Sequence, residues 1–276
     1  MRSRALGFVT LTIAIGLGSG ACSGSSVPRT PTLADVSRSD AGLRDTVAYL
    51  RTQRSSIDVT SLLIFDYMSR RWGVRGLADY RRLARSLPGA TSPSNAFVRL
   101  FGASRHASAA ALAAVRDTDT LTAAALDCER SPLDERFARR LRAGVRAGGY
   151  QATHVLLALR WTRDLGCHVK GEAEIRDDAA RRVASELRVA SSVNDLSLEQ
   201  AAFLAEAGAI GQIRSDWQRR VRDAQRADGG WAEDPAGTPL GDLDPTRSNF
   251  HSTGLALWYL LAAASPGVAD TPMVLR

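Results

Sequence analysis

Apolar residues recur along this chain at helical spacing, in two alternating styles. In the first they form one stripe: Leu133, Phe137, Leu141 and Val145; then Ile175, Ala179, Val183 and Leu187; then Ile213, Trp217 and Val221, with arginines on the other faces. A stripe at i, i+4 and i+8 predicts a helix that buries one side. In the second style apolar residues cover most of the helix, in Val59 to Met68, Thr153 to Leu165, Ser197 to Ile210 and His251 to Ala264. A helix apolar all round must be surrounded by protein. Half-polar Ala41 to Arg54, and Leu77 to Leu87 followed by the Ala-rich stretch His106 to Val115, extend the alternation toward the N-terminus. Ser131-Pro132-Leu133-Asp134 predicts a helix start, with Ser131 as N-cap, Pro132 at the first helical position and Asp134 completing a capping box.

The apolar helices start near residues 60, 107, 153, 200 and 252, a step of roughly 45 to 50 residues that suits a helical-pair repeat. Thr60-Ser61-Leu62-Leu63 with Gly73, and Thr153-His154-Val155-Leu156 with Gly166, repeat one pattern at one offset. No run of alternating β-branched residues bounded by turns competes. The predicted fold is all-α: a ring or arc of about five helical hairpins, buried helices inside and amphipathic helices outside. An open solenoid of helical pairs is the alternative.

The N-terminus follows another logic. Basic Met1-Arg2-Ser3-Arg4, the apolar run Ala5 to Leu17 and small Gly18-Ser19-Gly20-Ala21 before Cys22 have the three parts of a secretory signal. The apolar run is shorter than the about 20 residues a membrane-spanning helix needs. A cysteine after Gly-Ala resembles the bacterial lipoprotein signal, which implies acylation of Cys22 and a membrane-anchored protein facing the periplasm or cell exterior. Ser19 stands where that family has leucine, and ordinary cleavage nearby is the alternative. Residues 1–21 therefore read as signal peptide, 22–35 as lipidated N-terminus and flexible tether, and 36–276 as the folded domain. Acylation of Cys22 leaves an even pair, Cys128 and Cys167, a disulfide candidate in an oxidising compartment; two buried thiols are the other reading.

With 45% hydrophobic residues and 23 glycines the chain is globular. Its formal charge of +7 is carried almost wholly by arginine, Lys170 being the sole lysine. The arginines are spread over helix faces, which argues against a nucleic-acid partner and leaves attraction to an anionic membrane surface as the lesser use of the charge.

The most specific motif is Gln225-Arg226-Ala227-Asp228-Gly229-Gly230-Trp231, followed after a loop by Asn249-Phe250-His251-Ser252-Thr253-Gly254. It resembles the repeat of terpenoid cyclases and protein prenyltransferase β-subunits, which implies an α/α toroid. Locally, Gly229 and Gly230 are expected to stop the outer helix, Trp231 to pack over the turn and Gln225 to pair with neighbouring backbone. The catalytic patterns of those families are broken. Where an alkene-protonating cyclase carries Asp-x-Asp-Asp-Thr, this chain has Asp242-Leu243-Asp244-Pro245-Thr246. Phe250-His251-Ser252 is similar to the zinc-binding histidine segment of prenyltransferases, but Leu198-Glu199-Gln200-Ala201-Ala202 has no Asp-x-Cys, and a lone histidine is no zinc site.

His106, His154 and His251 open apolar helices about one and two repeats apart, which predicts that they look into one space. Together with Tyr150, Phe250, Asp242 and Asp244 they are the pocket candidates; no catalytic residue and no metal ligand set is assigned. The expected function is an exported binding or interaction module without cyclase or prenyltransferase chemistry, with no cofactor, taking an apolar small molecule or an envelope protein as partner. The alternative is a toroid enzyme acting on an apolar or prenyl-like substrate with zinc as its cofactor.

Overall fold

The computed structural model describes residues 41–52, 59–78, 80, 93–102, 105–233 and 248–275. The signal, Cys22, the tether, most of Leu77 to Leu87 and the loop carrying Asp242 and Asp244 lie outside them. The described chain is mostly helical. Its helices are α1 (Ala41–Thr52), α2 (Val59–Trp72), a 3₁₀ segment (Pro93–Phe101), α3 (Ala109–Ala114), α4 (Asp119–Leu126), α5 (Glu135–Ala147), α6 (Gly149–Leu165), α7 (Glu172–Val189), α8 (Asp195–Glu206), α9 (Trp217–Asp223) and α10 (Phe250–Ala264). Two short strands, β1 (Trp231–Ala232) and β2 (Ser248–Asn249), pair antiparallel with Trp231 opposite Asn249.

The two styles of apolar patterning sort these helices by position. Segments α2, Pro93–Phe101, α4, α6, α8 and α10 each pack on the next in chain order, and α10 packs back on α2. Helices α5 and α7 pack against α6 and against each other, while α1 and α9 pack against α10. All four stripe residues of α7, namely Ile175, Ala179, Val183 and Leu187, are buried, as are Phe137 and Leu141 of α5. Aromatic rings pack on one another between these segments. Trp258 meets Tyr67 and Phe203 at centroid distances of 5.1 and 5.5 Å, and Trp161 meets Phe97 at 6.3 Å. Among the described residues no helix is long and apolar enough to cross a membrane.

Three expectations are corrected. Helix α5 starts at Glu135, with Asp134 itself as N-cap, accepting from the Phe137 amide at 3.0 Å. Ser131 donates instead to Asp127. Asp and Ser cap a helix about equally well, and the carboxylate gains further from the positive end of the helix. The Ala-rich stretch from His106 yields only the six-residue α3, capped by Ser108, and the segment that packs on α6 is α4. Helix α9 ends at Asp223, ahead of the two glycines, so they build the following turn and do not stop the helix.

That turn fastens the two ends of the domain. Gln225 Nε2 donates to Gly42 O and Thr46 Oγ1 of α1, both at 2.8 Å, and to Gly229 O at 2.9 Å. Gly229 has φ +89°, and a Cβ there would stand 2.4 Å from the Asp45 carbonyl oxygen. Trp231 is buried with its indole N–H on Val221 O at 2.7 Å. Toward the C-terminal ends of α2 and α6 the tail is tied down: Arg160 bonds Asp270 and Thr271 O, Arg70 bonds Met273 O, and Asp164 accepts the Met273 amide. Cys128 and Cys167 are joined by a disulfide that links the end of α4 to the end of α6.

Candidate functional site

Histidines and carboxylates converge where α6, α8 and α10 begin. Asp195 is the first residue of α8, preceded by Asn194, whose side chain and that of Ser197 form a reciprocal cap. One turn on, Glu199 projects from the same face. His251 is the second residue of α10, held by the Asn249 cap on the Ser252 amide. His154 lies in the second turn of α6.

The contacts are close. His251 Nδ1 is 2.8 Å from Asp195 Oδ1, and its Nε2 is 3.9 Å from Glu199 Oε2. Ser252 donates to Asp195 Oδ1 at 2.6 Å, and Tyr150 donates to Asp195 Oδ2 at 3.0 Å. His154 Nδ1 lies 3.4 Å from Glu199 Oε1, and its Nε2 lies 3.4 Å from Asp119 Oδ1 at the start of α4. Thr153 donates to Glu199. One oxygen each from Asp195 and Glu199 and one nitrogen of His251 lie within 4.8 Å of one another.

Electrostatics follow from burial. Burial alone would lower the His154 pKa, but the Glu199 and Asp119 carboxylates overcome it and lift it to about 10. Asp195 feels an upward push from burial, which His251, Ser252 and Tyr150 overcome, so it sits below the usual carboxylate range. Burial, then the Asp195 charge, push the Tyr150 phenol up. Glu199 is 2% exposed. Taking such a carboxylate out of water is tolerated only beside a cation or strong donors.

Of the pocket candidates, Tyr150, His154 and His251 are thus brought together. Phe250 is partly buried and packs on Tyr49 and Phe65 at 5.8 and 6.4 Å, a core contact beside the cluster. His106 is exposed on the coil before α3, two residues ahead of the capping Ser108, so it heads no inner helix; Asp119 fills the corresponding place. Asp242 and Asp244 lie outside the described residues. Sequence reasoning missed Asp195 and Glu199. The signal was present: Glu199-Gln200 interrupts a run from Leu198 to Leu204 that is apolar on every face, so its charge had to be buried against a partner.

Comparison with protein-family models, with curated proteins and with solved structures found no match to this chain. The site is therefore read from its own chemistry.

Proposed function

We propose that this protein is a divalent-metal-binding module on an α/α-toroid frame, exported and tethered through Cys22, and that it carries out neither cyclase nor prenyl-transfer chemistry. The toroid reading is supported by six inner segments that adjoin in chain order, with α10 returning to α2, a contact that an open solenoid does not make. The prenyl and cyclase readings are disfavoured by Pro245 in the acidic loop and by aromatic rings packed on one another where an isoprenoid chain would need room.

One observation carries the metal assignment. At the far end of the inner helices the buried carboxylates are matched by arginine: Arg71 and Arg160 on Glu206, Arg160 on Asp164. At the near end Asp195 and Glu199 face only imidazoles as cationic partners among the described residues. Guanidinium is a permanent cation and cannot ligate; imidazole gives up its proton and becomes a ligand. In an arginine-rich chain, that choice favours a place for an exchangeable cation. Two carboxylates and an imidazole suit zinc or a similar ion.

Asp195, Glu199 and His251 would hold the ion. His154 and Thr153 orient Glu199, while Ser252 and Tyr150 orient Asp195, the outer support that metal sites require. A bound zinc supplies Lewis acidity and a lowered pKa for its water. Tyr150, 38% exposed beside Asp195, favours the second reading, a zinc enzyme acting on an apolar substrate, because it puts an aromatic face at the rim of the cluster. Metal analysis of purified protein separates these readings from a metal-free cluster of hydrogen bonds. About one zinc per chain, lost in His251→Ala, is expected; a metal-free wild type that also takes up none on dialysis would overturn the assignment.

A further inference from the structure

Helix α5 carries five arginines in its 13 residues, and its buried stripe turns four of them outward. Arg136, Arg139, Arg140 and Arg146 are exposed, and none forms an ion pair with an acid among the described residues. At 100° per residue they share one face over about 15 Å of helix. The neighbouring acids are engaged elsewhere: Glu135 with Arg142 and Lys170, Asp127 with Arg130 and Ser131, Asp134 with the Phe137 amide. Unmatched charge of one sign along a helix is a field that attracts the opposite charge.

Beside this row, Arg136 and Arg140 also line an open groove between α3, α4 and α5, together with apolar Leu112, Ala123, Ala124 and Phe137 and the carboxylates of Asp127 and Asp134. Guanidiniums that match phosphate oxygens thus stand next to apolar surface. Phosphate above and hydrocarbon below is the chemistry of a phospholipid at a bilayer surface.

We infer that the α5 face is a docking surface for an anionic phospholipid membrane, with Arg136 and Arg140 taking headgroup phosphates at the groove and Arg139 and Arg146 extending the contact. Choosing a bilayer over an acidic protein rests on the tethered reading of Cys22, which keeps the domain within a short arm of a membrane. The experiment fails or succeeds apart from that reading, because it uses protein that cannot be acylated.

The test is co-sedimentation of the chain from residue 22 onward, carrying Cys22→Ala, with vesicles of phosphatidylcholine alone or with phosphatidylglycerol added. The fourfold change Arg136→Gln, Arg139→Gln, Arg140→Gln and Arg146→Gln is compared with a charge-matched control, Arg51→Gln, Arg188→Gln, Arg219→Gln and Arg222→Gln, on α1, α7 and α9. Both variants are checked by circular dichroism, and exposed arginine-to-glutamine changes leave the fold intact. Parent protein is expected to prefer anionic vesicles, with the α5 variant losing on the order of tenfold or more of that preference. The control is expected to lose less than about twofold. Equal losses in both variants, no preference in the parent, or α5-dependent binding to polyglutamate without binding to vesicles would each overturn the inference.

Discussion

Glu199 and Glu206 lie seven residues apart on α8, and one faces His154 while the other is clamped by Arg160. Two turns of one helix, about 10 Å, separate a carboxylate neutralised by an ionisable ring from one neutralised permanently. One helix thus carries a carboxylate paired with a permanent cation and another paired with a ring that can give up its proton.

The group around Glu206 is expected to behave as a buried ion network. Glu206 also accepts from Arg71 and Tyr67, and its removal takes the carboxylate from Arg71, while Arg160 keeps Asp164 and Asp270. Glu206→Ala should cost about 3 kcal/mol or more in urea unfolding, with or without zinc present. Glu199→Gln should abolish zinc-induced stabilisation; a zinc-induced rise in melting temperature that survives this change would contradict the division of labour.

The turn that joins the two ends of the domain is expected to be intolerant. Gly229→Ala places a methyl on the Asp45 carbonyl at positive φ and should cost about 2 kcal/mol or more. Gln225→Ala forfeits three acceptors and should cost about 1 to 3 kcal/mol. Urea melts that place both variants within 0.5 kcal/mol of wild type, about the scatter of neutral surface changes, would refute the clasp.

Much of this architecture was legible because helix periodicity is local. The stripe of α7 is buried at all four positions, and α6, α8 and α10 occupy the segments whose apolar residues cover most faces. Register between distant segments was not legible. The regular step drew attention to His106, yet an Ala-rich stretch buries little area per residue, and the chain spends Asp119–Leu126 on the inner position instead. Asp195 escaped notice because an acid in the first turn of a helix is ordinary dipole compensation; only its approach to His251, from 56 residues away, gives it another meaning.

The disulfide closes a loop between residues 39 apart. By chain entropy its reduction should cost about 4 kcal/mol. Thermal melts with and without reductant read this directly, and coincident melting temperatures would show that the bridge adds nothing.

Alkaline pH offers an independent check of the packing. Burial, the largest effect in each case, raises Tyr49 and Tyr259 to about 12 and lifts Tyr67 as well, against about 10 unfolded. The fold retains protons that the unfolded chain releases, so this contribution to stability is complete below pH about 10 and is lost as pH rises through about 12. At pH 11 the native phenolate absorbance should be less than half that in urea, by order of magnitude from these shifts. Equal absorbance would mean that these rings are not packed as described.

The central claim is most directly tested by calorimetric titration of zinc into metal-stripped protein, comparing wild type with Asp195→Asn, Glu199→Gln and His251→Ala. The account predicts one site per chain, weakened at least about tenfold by each ligand change and less by His154→Ala, which removes an orienting group. Wild-type binding that is absent, or that persists undiminished in all three ligand variants, would contradict it.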